Sequence, residues 1–155
     1  MAAPYATDAD LQAFIPSILD NGVASFTPQL TLASTDVLEL IKLEWWVNAV
    51  TSRYGFTRET VDISPVFPIL DETKLNEGAL VNITCYRALA QYICPMLTTD
   101  SDEADEWNRK MARYAEFYRS EWEALEVKPL YDFNSDNQFS DIERRVSRGR
   151  RIVRA

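Results

Sequence analysis

Histidine is absent from all 155 residues. That excludes a Ser-His-Asp triad, a Cys-His dyad and any zinc site that needs imidazole. Glycine is scarce: the four residues, at 22, 55, 78 and 149, form no phosphate-cradling cluster, and there is no G-x-S-x-G. No run approaches the roughly 18 consecutive apolar residues of a membrane span. The opening MAAPYATDADLQAF has neither the basic region nor the apolar run of a signal peptide. These features predict synthesis in the cytoplasm and no membrane partner. The two cysteines, Cys85 and Cys94, fall in one predicted helix, about 13 Å apart along its axis. They cannot pair with each other there and read as small buried hydrophobes. Carboxylates are plentiful, but no pair is marked at a working separation, so the chain is expected not to be an enzyme.

What the sequence does have is an uneven charge. Residues 1–143 carry ten basic against 24 acidic side chains, a sum of −14. Residues 144–155, RRVSRGRRIVRA, carry six arginines and no acid: Arg144, Arg145, Arg148, Arg150, Arg151 and Arg154. Ile152 and Val153 are β-branched and flanked by charge, which favours an extended arm. Such an arm can add to a sheet edge or lie in a groove, with its arginines on a partner's carboxylates. The bland alternative is a solubilising tail.

Just before the arginines, DFNSDNQFSDIE has the spacing of a calcium loop. Asp132, Asn134 and Asp136 take positions 1, 3 and 5, Gln138 offers its carbonyl, Ser140 a hydroxyl or bridging water, and Glu143 takes position 12. A hard dication needs six to eight oxygens, which alternate residues of a tightly wound loop can supply. Asn137 replaces the usual glycine at position 6. Asparagine is the residue best able to stand in for glycine in a left-handed backbone. Phe139 is the apolar residue expected to tie the loop to a core. Ser140 and Glu143 also fit a capping box opening a short helix over 141–148, so Glu143 has two competing uses. A single loop, entered from the poor helix former EVKPLY, suits a structural Ca2+ clip better than a sensor built from paired loops.

The remaining pattern is helical. Thr7 caps a first helix that ends at Pro16, and Asp20-Asn21-Gly22 marks a turn. Thr27-Pro28 signals the start of a long helix to about Arg53. Its apolar residues are too widely spread for one partner, which suits either core on both sides or core plus a subunit interface. The apolar, proline-interrupted stretch 56–75 reads as an extended loop. A third helix runs from the cap Asn76 to Cys94 and is closed by Pro95. A fourth opens at Asp100–Glu103 and runs to about Glu126, with Ala104, Trp107, Met111, Tyr114, Tyr118, Trp122 and Leu125 along one seam. The reading is an all-α, four-helix-bundle-like single domain: a body over 1–130, the loop segment 131–143, and the basic arm 144–155.

The stretches YATDADLQAFIP, FTPQLTLASTDVLELIKLEWW, CYRALAQYICPMLT and YDFNSDNQFSDIERR, with the basic finish, resemble the head-tail connector (adaptor, or head-completion) proteins of tailed bacteriophages. The resemblance spans most of the chain. It implies a virion protein at the head-tail junction: small helical subunits in a homo-oligomeric ring, commonly of twelve, beneath the portal protein. The arm would reach along the portal. The ring would carry the next tail or head-closure protein and line a channel through which DNA passes without specific binding. An acidic body suits such a conduit, because it repels phosphates. The alternative is a nucleic-acid-binding or calcium-binding module that uses the basic segment or the 132–143 loop. Against nucleic acid stand the −14 charge of the rest and the lack of an aromatic residue among the arginines for base stacking.

Overall fold

A computed structural model of the chain describes residues 3–54, 68–100 and 104–139, and most of them are helical. Among the described residues no strand forms; one antiparallel bridge joins Leu75 to Tyr131. The all-α class holds. Instead of a single domain, the chain divides into two compact units. One comprises the residues up to Leu38 with Glu77–Ala124; the other comprises Glu39–Asn76 with the chain from Leu125 onward. No described helix is long and apolar enough to cross a membrane.

In the first unit, α1 (Asp8–Phe14) starts at a reciprocal cap. Thr7 Oγ1 accepts from the Asp10 amide, and Asp10 Oδ2 accepts from the Thr7 amide at 2.7 Å. Ile15 turns extended ahead of Pro16, as the residue before a proline tends to. A 3-10 turn, Ile18–Asn21, ends at Gly22, whose φ of 77° is cheap only without a side chain.

The long helix begins with α2 (Thr27–Leu40). Its first bond runs from the Leu30 amide to the Phe26 carbonyl at 2.9 Å, one residue ahead of the expected start. The cap is assembled from outside: Asp8 Oδ1 accepts from the Phe26 amide and Ser25 Oγ from the Thr27 amide. Helical backbone continues through a π-helical turn, Ile41–Trp46, and α3, Val47–Tyr54. In regular helix, neighbouring residues point about 100° apart. The wider π turn accompanies burial of both Trp45 and Trp46, two neighbours that regular helix would turn apart. Leu30, Ala33, Val37 and Ile41 are also buried, whereas Leu32 (52% exposed) and Leu43 (65%) remain outside. Their exposure explains why the stripe read as too wide.

The third helix, α4 (Glu77–Ala88), does not stop at Pro95. A π-helical turn, Leu89–Ile93, carries it into α5 (Cys94–Asp100). The Cys94 amide bonds to the Leu89 carbonyl five residues back. Reset pairing just upstream lets the chain absorb the proline, which has no N–H and would clash with the carbonyl four residues earlier. The cap expected at Asp100–Glu103 falls largely on residues outside those described. Next comes α6 (Ala104–Leu125). Trp107 and Tyr114 are buried on its inner face; Trp122 is half-buried.

The core of this unit joins Leu11, Ile15, Ile18, Phe26 and Leu30 to Cys85, Leu89, Ile93, Leu97, Trp107 and Tyr114. Both cysteines are free thiols within it, and burial pushes them up to about 12 (Cys85) and about 11 (Cys94). They are therefore unreactive at neutral pH. Asp36 Oδ2 gathers three donors: Arg87 Nε and Nη2, each at 2.9 Å, and the Tyr92 hydroxyl at 2.7 Å. That bond to Asp36, with burial, raises the Tyr92 phenol.

Candidate functional site: the 132–139 loop and its aromatic anchor

The loop belongs to the second unit. Chain leaves α6 at Leu125, and the Lys128 amide closes a turn onto the Leu125 carbonyl at 3.3 Å before Pro129. No helix leads into the loop, as EVKPLY predicts. A short antiparallel contact positions its entrance instead. The Asn76 amide donates to the Leu130 carbonyl at 2.9 Å, and the Asp132 amide to the Lys74 carbonyl at 3.0 Å. These two bonds flank the Leu75–Tyr131 bridge. Lys74 belongs to a 3-10 turn, Glu72–Lys74, capped by Asp71; bonds from Thr73 hold the Asp71 carboxyl below its usual range. The Lys74 ammonium also reaches Ser135 Oγ at 2.7 Å.

An aromatic cluster anchors the entrance. Phe133 stacks on Trp46 with ring centroids 5.9 Å apart and planes 9° from parallel, and on Trp45 at 6.5 Å. Tyr131 lies 4.7 Å from Trp46 and 4.8 Å from Phe133. The Arg53 guanidinium sits 3.8 Å over the Phe133 ring. Each ring pair contributes about 0.5–1.5 kcal/mol beyond burial, and the cation over the ring about 0.5–2 kcal/mol. Trp46 Nε1 donates to the Pro68 carbonyl at 2.8 Å, so its one polar atom is satisfied in the cluster. Phe139, expected to be the anchor, is 37% exposed; Phe133 does that work. Spacing alone favoured Phe139, because position 8 of such loops is usually apolar. Here the loop enters from a bridge, which brings position 2 to the tryptophans.

The loop winds around Asp132, which is only 3% exposed. Its Oδ2 accepts from the Asn137 amide at 2.8 Å and its Oδ1 from the Asp136 amide at 3.2 Å. Asn134 Oδ1 shares the Asp136 amide at 3.0 Å, Asn134 Nδ2 donates to Asp136 Oδ2 at 3.0 Å, and Asp136 Oδ1 accepts from the Gln138 amide at 2.8 Å. Positions 1, 3 and 5 thus turn their side chains toward one set of backbone amides. Ser135 (φ 62°) and Asn137 (φ 57°) are left-handed, the second at the position where glycine is usual.

As a cation site, the described part offers two carboxylates, one carboxamide and the Gln138 carbonyl. Among the described residues no group of three or more His, Cys, Asp or Glu is placed to hold a metal. Ser140, Glu143 and the predicted helix 141–148 lie outside the described residues. So do Arg144, Arg145, Arg148, Arg150, Arg151, Ile152, Val153 and Arg154, and residues 55–67 of the apolar loop. The structure brings Asp132, Asn134, Asp136 and Gln138 together. Sequence reasoning missed the anchoring residues Arg53, Lys74, Tyr131 and Phe133; the run of aromatic and apolar residues at 130–133 was the available signal. Comparison with protein-family models, curated proteins and solved structures finds no match.

Proposed function

We propose that the protein is a structural virion component, a connector that forms a ring beneath the portal of a tailed bacteriophage and joins head to tail. It docks through residues 144–155. The observation that carries this reading is the charge partition, −14 over residues 1–143 against six arginines and no acid in the next twelve. Electrostatic attraction steers the arginines to an acidic groove, while the acidic remainder holds phosphates off. Ile152 or Val153 fills an apolar pocket there, and Arg150, Arg151 and Arg154 pair with carboxylates of the portal. The aromatic anchor at Tyr131 and Phe133 supports the reading because it fixes where the chain sets out toward the arginines. Calcium, held by Asp132, Asn134, Asp136 and the Gln138 carbonyl with Ser140 and Glu143, would stiffen that departure. A tail or head-closure protein is the partner on the opposite side of the ring.

The test mixes the purified chain with the portal ring of the phage that encodes it and images the product by electron microscopy. A ring of added density, commonly twelvefold, is expected with the full chain and not with a chain lacking residues 144–155. Equal decoration by both would remove the arm from the account. Binding of the chain to duplex DNA at physiological salt, weakened steeply as salt rises, would favour the nucleic-acid reading instead.

A further inference from the structure

Two exposed apolar residues of the second unit fall together. Leu43 (65% exposed) stands on the π-helical turn Ile41–Trp46, and Ile69 is 92% exposed, so no described residue covers it. Two bonds hold their segments side by side. Trp46 Nε1 donates to the Pro68 carbonyl at 2.8 Å, and the Lys42 ammonium pairs with Glu72 at 2.9 Å. Residues 68–72 therefore run beside the turn, with Leu70 buried and Ile69 outward. Single exposed apolar side chains need no explanation, but two on one patch mark a contact surface. Its rim is acidic. Residues 39–46 and 68–72 hold Glu39, Glu44, Asp71 and Glu72 against one base, Lys42, which Glu39 and Glu72 already neutralise. Whatever covers Leu43 and Ile69 therefore has to bring positive charge.

The first unit carries the complement. Residues 109–119, RKMARYAEFYR, hold four of the ten basic side chains of residues 1–143 and one acid, Glu116. Arg109, Arg113 and Phe117 follow at i, i+4 and i+8 of α6 and share one exposed face. The Arg113 guanidinium lies over the Phe117 ring, 5.2 Å from its centroid. Tyr86 at 5.6 Å and Tyr114 at 5.9 Å fix the inner side of that ring. Ring and guanidinium thus stand as a preformed projection, apolar and positively charged at once. Glu106, one turn before Lys110, is taken by it at 2.6 Å.

We propose that the Leu43–Ile69 patch of one copy seats the Arg109–Phe117 face of α6 of a second copy. Charge complementarity selects this occupant. No other stretch of residues 1–143 gathers as much positive charge, and this one adds an exposed aromatic ring for the apolar centre. Patch and face are different surfaces of one chain, so the contact between copies is head-to-tail. Repeated by rotation, such a contact closes a ring. The inference deepens the connector reading and rests on it for the expectation that copies assemble.

Sedimentation velocity on the full chain across a concentration series, without portal, tests it. Wild type is expected to self-associate. Glu39→Arg with Glu44→Arg should weaken association on the order of tenfold or more, and so should Arg109→Glu with Arg113→Glu. All four substitutions in one chain should restore it, because the charges are exchanged. Ile69→Glu tests the apolar centre by itself and should give a loss of similar size. A side chain already 92% exposed can be changed without disturbing the fold, so this variant serves if a reversed chain does not fold by circular dichroism. A wild type that stays monomeric at every concentration overturns the proposal and leaves the patch to a different partner. So do reversed pairs and an Ile69→Glu chain that associate like wild type, or a fully exchanged chain that stays as weak as its parents. Portal decoration is counted separately. Bare portals beside a wild type that self-associates would sink the docking reading alone. Decorated portals beside a wild type that stays monomeric in solution would sink this contact alone.

Discussion

Replacing Asp132 by alanine isolates what holds the 132–139 loop in shape. The carboxylate accepts from two amides, but they do not depend on it equally. The Asp136 amide also has Asn134 Oδ1 at 3.0 Å, so it keeps an acceptor, whereas the Asn137 amide at 2.8 Å loses its side-chain acceptor. A hydrogen bond to a charged group contributes about 1.5–3 kcal/mol, and Asn137 is exposed, so water can take up the released amide. Removing a nearly buried carboxylate returns part of this by ending its own desolvation. The expected cost of Asp132→Ala is therefore about 1–2 kcal/mol. Asn134→Ala should cost only about 0.5–1 kcal/mol, because the amide it serves keeps Asp132. Asp132→Asn, which preserves one acceptor oxygen, should fall between. Urea unfolding followed by tryptophan fluorescence suits the measurement, since Trp45 and Trp46 adjoin Phe133. Excess chelator removes any contribution from bound calcium. If Asp132→Ala matches wild type within about 0.5 kcal/mol, or Asn134→Ala costs more, the loop is not organised around Asp132.

Three further outcomes follow from the same geometry. Calorimetry should detect calcium binding to the wild-type chain at millimolar metal and a large loss of it in Glu143→Gln, which removes charge and bidentate geometry; no heat with wild type would leave Glu143 only its capping role. Trp45→Ala should cost about 3–5 kcal/mol in the same unfolding assay, given a fully buried indole that stacks on Phe133. Stability should fall in alkali. Burial raises Cys85 to about 12 and Cys94 to about 11 from 9.0, and Tyr92 is raised by Asp36, so the folded chain keeps protons that the unfolded chain has released. This contribution is intact below about pH 9 and is lost progressively as pH rises toward 12. Unfolding midpoints unchanged between pH 8 and 11 would contradict it.

Local chemistry made much of this fold legible. The Thr7 and Asp10 cap, the turn at Gly22, and the break at Pro129 each rest on residues adjacent in sequence, and each appears where its chemistry puts it. Errors arose where distant residues intervened. The start at Phe26 is set by Asp8, eighteen residues away, so Thr27-Pro28 pointed one position late. Pro95 failed as a stop because the π-helical turn before it changes the pairing that a proline disrupts. A matching turn at Ile41–Trp46 buries Trp45 and Trp46 together, which regular helical spacing does not foretell. The candidate site divides in the same way. Alternation at Asp132, Asn134 and Asp136, and the left-handed Asn137, were readable from spacing. Phe133 on Trp46, and Lys74 on Ser135, join residues that no local pattern links.

The most direct test of the connector reading is the occupancy of portal rings by a chain in which Arg151 and Arg154 are both changed to glutamate, counted in electron micrographs beside wild type. Circular dichroism and the unfolding midpoint should match wild type. Reversal should then leave the portals bare while wild type decorates them. Normal occupancy by the reversed chain would contradict docking through these arginines and reduce residues 144–155 to a solubilising tail.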